Sequence, residues 1–129
     1  MSADGTVTAG NLADLFNDLS QSIDDFRLNA PPGTTTDDLA RLKDEAQALE
    51  NRAHQFIAQD MAETLSRIQP ELQKIVDATA KVQQQIGVLN DVSKAIGIAT
   101  AGVALGAAIA TGNIAAIGST AQAFADSIA

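Results

Sequence analysis

The sequence predicts an all-α fold, and three observations carry that prediction. Apolar residues recur at steps of three and four from Leu12 to Ile128. The inventory has no Trp, no Tyr and only four Phe, whereas strands draw heavily on aromatic and β-branched residues. Breaks in the apolar pattern coincide with Pro and Gly, at Asn29-Ala30-Pro31-Pro32-Gly33 and at Thr111-Gly112-Asn113. A length of 129 residues fits one domain with a real core, so residues 11–129 are expected to form a single helical domain behind a flexible segment 1–10.

The first helix is expected over residues 11–29. Leu12, Leu15, Phe16, Leu19, Ile23 and Phe26 form one stripe, and Asp14, Asp18, Asp24 and Asp25 lie away from it. Two prolines and a glycine then end the helix and call for a tight return. Thr35 and Asp38 have the spacing of a capping box, and Asp37 and Asp38 suit the positive end of a helix dipole.

A long second helix is therefore predicted over residues 36–90. Its seam runs through Leu39, Leu42, Ala46, Leu49, Ala53 and Phe56 in coiled-coil-like heptad steps, then shifts to steps of four through Ile57, Met61 and Leu65, where a supercoil should relax. The seam continues through Ile68, Leu72, Ile75, Val82 and Ile86 to Leu89, with Thr79 as its polar member. Because the apolar phase crosses Pro70 unchanged and no turn residues accompany it, a kink is predicted there rather than a reversal. An unbroken helix of this length would reach about 80 Å at 1.5 Å per residue. The molecule must then be an elongated bundle or fold back at Pro70 or near Gly87. The residues Leu65, Ile68, Leu72, Ile75, Val82 and Ile86 offer more apolar surface than one elongated chain covers, so this seam is expected to drive self-association.

Composition changes after Lys94. No charged residue occurs from Ala95 to Ala125, and the stretch predicts an apolar hairpin of two helices, 91–111 and 113–128. At 100° per residue the first arm is apolar all round, with Ile96 and Val103 opposite Ile98, Leu105 and Ile109, so it must be buried in protein or in lipid. The second arm places Ile114, Ile117, Ala121, Phe124 and Ile128 on one stripe and Ser119, Gln122, Asp126 and Ser127 away from it. Gly102 and Gly106 form a GxxxG notch extended by Ala110, a spacing that lets a second helix approach closely in a membrane pair or in an Ala-rich soluble bundle. Residues 95–110 reach only about 24 Å against a hydrocarbon core of about 30 Å. Their bulky aliphatics contribute about −2 kcal/mol to insertion, which leaves a lone span marginal.

The charge pattern narrows the partners. Sixteen acidic residues face eight basic ones, for a net charge of −8, and the basic residues are scattered singly from Arg27 to Lys94. Such scatter argues against nucleic acid and against a polybasic membrane anchor. Residues 1–10 contain no Lys or Arg and no apolar run, so they resemble neither a signal nor a transit peptide. The expectation is a protein that is cytoplasmic as synthesised, with any export following a leaderless route.

Chemistry is sparse. Glu50 and His54 stand one turn apart, but a carboxylate-bridged di-metal bundle needs two Glu-x-x-His pairs and the sequence has one His. The acid pairs Asp24-Asp25, Asp37-Asp38 and Asp44-Glu45 diverge by about 100° on a helix and form no calcium loop. With no Cys, no nucleophile elbow and no Gly-Lys-Ser/Thr cradle, the sequence predicts a protein that is not an enzyme and holds no cofactor, metal or small-molecule substrate.

Long amphipathic helices beside the uncharged hairpin from Ala95 to Ile128, with its turn at Thr111-Gly112-Asn113, resemble the α-helical pore-forming toxins of the cytolysin A and haemolysin BL type. That resemblance implies a membrane-active protein whose acidic bundle shelters the hairpin until oligomerisation or a membrane releases it. The residues themselves equally allow a self-assembling or partner-binding helical bundle or filament subunit, in which the same hairpin is the core.

Overall fold

The computed structural model describes residues 7–58, 61–86 and 91–128. Among these residues the chain forms helices only: α1 (Ala9–Leu28), α2 (Thr36–Ala58), α3 (Ala62–Arg67), α4 (Gln69–Gln85), α5 (Val92–Thr111) and α6 (Ile114–Ile128). The all-α prediction holds.

Local chemistry sets most of the boundaries. Thr8 caps α1 with a capping box in which its hydroxyl accepts from Asn11 N and the Asn11 side chain accepts from Thr8 N. Thr35 Oγ1 accepts from Asp38 N at 3.1 Å, as its spacing predicts. Asp91 accepts from Lys94 N and opens α5. Gly112 closes α5 at φ 73°, a left-handed conformation that a side chain would strain. Asn113 Oδ1 then accepts from Ala116 N and starts α6, so the predicted turn falls where the sequence placed it.

The five long helices pack in a ring: α1 against α2, α2 against α5, α5 against α6, α6 against α4, and α4 back against α1. In addition, α1 and α5 touch across the interior. Contacts fix the directions. The α1–α2 pair is antiparallel, since Phe16 meets Phe56 while Ser20 bonds Ala46. Near one end of α4, Gln69 bonds Val7, and farther along Val76 shares a small cleft with Asn11, Asp14 and Leu15, so α4 runs parallel to α1. The core draws on every helix, from Leu12, Leu49, Leu65 and Leu72 to Leu105 and Phe124.

Three expectations need correction. Of the two forms expected for the stretch 36–90, kinked or broken near Pro70, the chain takes the broken one, with α3 ending at Arg67 and α4 starting at Gln69. It is divided once more, α2 ending at Ala58 and α3 starting at Ala62, and the chain reverses between α2 and α4. Pro70 does not bend a helix from within. It lies in the first turn of α4, where its missing N–H costs nothing, and its ring opposes continuation from α3. Where a relaxing supercoil is expected after Phe56, α2 instead ends at Ala58, and Ile57 is 65% exposed. The elongated form thus gives way to a folded one. The reversal expected near Gly87 falls at residues 87–90, outside the described residues, although α4 ends at Gln85 and α5 starts at Val92.

Part of the segment 1–10 expected to be flexible belongs to the fold. Residues 1–6 lie outside the described residues, but Val7 is buried and Thr8 to Gly10 are fixed by the start of α1.

Candidate helix-packing site

The notch of α5 is the most specific local geometry in the fold. A Cβ placed on Gly102 would lie 2.8 Å from Cδ2 of Leu19 and 3.1 Å from Cδ2 of Leu49. One on Gly106 would lie 2.8 Å from Cγ of Arg52 and 2.9 Å from Cε2 of Phe16. Carbon atoms rest at about 3.5 to 4.0 Å, so neither position has room for a methyl group without movement. Both glycines are buried, and Ala110 sits half-buried one turn beyond. The notch therefore receives side chains from α1 and α2 of the same chain, which is what brings α5 close enough to touch both.

The rest of the hairpin divides by face. Ile98, Leu105 and Ile109 of α5 are fully enclosed, while Ile96 and Val103 pack against the core from its edge. On α6, Ile117, Ala121, Phe124 and Ile128 are buried, and Ile114 at its start is 39% exposed. Ser119, Gln122 and Asp126 face outward as the second arm's periodicity predicts. On the outer side of α5, Gly97, Thr100 and Ala104 are exposed, and nothing lies within 4 Å of a Cβ on Gly97.

The seam predicted to drive self-association is inside the chain. Leu65, Ile68, Leu72, Ile75 and Val82 are buried and Ile86 is partly so, because the reversal at α3 lets α4 lay this face against α1 and α6. In the folded chain this seam leaves little apolar surface uncovered.

Polar groups between helices serve packing. Buried Ser20 donates to the Ala46 carbonyl at 2.6 Å, on the wall of a cleft of about 240 Å³ between α1 and α2 that Asp24, Arg27, Lys43 and Glu50 also line. Arg27 is held by Asp24 at 2.7 Å and Arg67 by Glu63 at 2.7 Å, both at the surface, where such pairs add little stability. His54 is exposed, and among the described residues no three His, Asp or Glu side chains are grouped to hold a metal ion.

Sequence reasoning missed two contributors. Arg52 enters the notch through its aliphatic stem, with its guanidinium turned to Gln55 Oε1 at 2.7 Å. Gln69 bonds the backbone of Val7, and no local pattern signals a contact 62 residues apart.

No family model, curated protein or solved structure matches this chain.

Proposed function

We propose that the protein is a non-enzymatic helical bundle that works by association, with copies of itself or with a helical partner, and that the hairpin 95–128 is its internal core. One observation carries this reading: the two faces of α5 are different. Its inner face is filled by Phe16, Leu19, Leu49 and Arg52 of the same chain. Its outer face is uncharged and open at Gly97, Thr100 and Ala104. A body with a net charge of −8 repels its copies over most approaches, and a charge-free flank lowers that barrier. Sedimentation at micromolar concentration tests the reading, with liposome flotation run on the same sample. Assembly without lipid is expected; a stable monomer that captures no helical partner counts against it.

Membrane insertion of the hairpin is the second reading, and it rests on the length of α5. The helix has 20 residues, about 30 Å, rather than the 24 Å read from the uncharged stretch. It is long and apolar enough to cross a membrane, and less than half of it is buried. Insertion would first have to withdraw Ile98, Leu105, Ile109 and Phe124 from the core, at roughly 1.5 to 3 kcal/mol each. Flotation with liposomes together with dye release would favour this reading over the first.

A further inference from the structure

We infer that α3 is a latched segment beside the turn of the apolar hairpin, able to open locally, and that the side-chain amide of Gln69 is its latch. At six residues, α3 is too short to hold itself by its own hydrogen bonds. It lies against the hairpin turn, because a Cβ on Gly112 would meet Thr64 Oγ1 at 3.4 Å. Below it, Met61 and Leu65 are buried apolar anchors.

Three segments meet at one amide. Gln69 Oε1 accepts from Val7 N at 3.0 Å, and Gln69 Nε2 donates to Val7 O at 3.1 Å and to Leu65 O at 2.9 Å. The first two bonds pair a side-chain amide with both polar groups of one residue, as neighbouring strands would pair. The third adds a side-chain donor to a carbonyl in the last turn of α3 that also accepts from Ile68 N at 3.3 Å. Val7 is itself buried, so the amide ties the chain before α1, the end of α3 and the start of α4 into one junction. Releasing it frees α3 from two sides while the remaining contacts of α2 and α5 stay in place. The segment then opens locally, uncovering Gly112 and freeing the buried side chains of Met61 and Leu65, at a free energy below that of global unfolding. This holds whichever role the bundle serves.

Hydrogen exchange on the full chain tests the latch, comparing wild type with Gln69→Ala and Gln69→Glu. The glutamate variant keeps an acceptor for Val7 N and a charge that suits the start of α4, while losing both donors. In both variants exchange should rise about tenfold in residues 62–67 and 110–114, with the centres of α2 and α5 unchanged. Unchanged exchange in residues 62–67 overturns the inference, and so does a uniform rise in every helix, which would make Gln69 a general stabiliser rather than a latch.

Discussion

Phe16 meets Phe56 edge to face, with ring centroids 4.9 Å apart and planes at 83°, and another edge of the Phe16 ring occupies the space a Cβ on Gly106 would need. One aromatic side chain thus joins the α1–α2 hairpin to α5. Edge-to-face pairs add about 0.5 to 1.5 kcal/mol beyond burial. Their geometry also transmits any displacement at Gly106 to α2.

Glycine substitutions along the hairpin should therefore split by face. Gly106→Leu overpacks the notch and is expected to lower stability by about 1 to 3 kcal/mol or more. Gly97→Ala and Gly118→Ala place a methyl group in open space within a helix and should each raise stability by about 0.4 to 1 kcal/mol. Urea denaturation of the three variants measures this; equal destabilisation by all three would show that the glycines act through something other than local space.

Truncating the seam should cost folding, not assembly alone. Leu72→Ala is expected to remove about 2 to 5 kcal/mol, and Ile75→Asp, which buries an unpaired charge, to prevent folding. Circular dichroism at low protein concentration separates the two effects. Native helicity retained by an Ile75→Asp monomer would place this residue at a surface instead.

The Ser20 hydroxyl is expected to contribute about 0.5 to 1.5 kcal/mol through its bond to the Ala46 carbonyl. Ser20→Ala should lower the unfolding free energy by that amount, read from the shift of the urea midpoint at unchanged slope. Ser20→Val, by contrast, adds bulk at the α1–α2 contact and should cost more. No change in the alanine variant would assign the hydroxyl no net role.

Thr8→Ala removes the hydroxyl that caps α1 and should cost about 0.5 to 2 kcal/mol. Thr8→Ser keeps the acceptor and should stay near wild type. Thermal melts of both variants check the contrast.

The sequence made the interior faces legible and the path of the chain less so. Stripes such as Leu12, Phe16, Leu19 and Ile23 identify buried sides because burial follows the helical period. The same period hides the reversal at α3, since Phe56 in α2, Met61 just before α3, Leu65 in α3 and Ile68 at the break before α4 are all buried. An apolar sequence phase cannot distinguish a helix that continues from one that ends and restarts facing the same core. Ile57 was the available clue: it broke the heptad and proved exposed. The notch was visible as a spacing, but its occupants were not, because Phe16 and Arg52 reach it from helices distant in sequence.

The order of helices around the ring bears on how the chain reaches this state. The pairs α1–α2 and α5–α6 join sequence neighbours, whereas α4 must find α1 and α6 across much longer stretches of chain. Entropy of loop closure favours the two local pairs forming first, with the long-range contacts, those of α4 among them, closing later. Mutations at Leu19 and Leu49 should then slow folding, while those at Leu72 and Ile75 should mainly speed unfolding. Stopped-flow kinetics in urea would reveal the order, and slower folding in an Ile75→Val variant would reverse it. A chain that folds this way spends its later kinetic steps with the apolar sides of both hairpins uncovered, so its hazard of misassociation lies before the long-range contacts close.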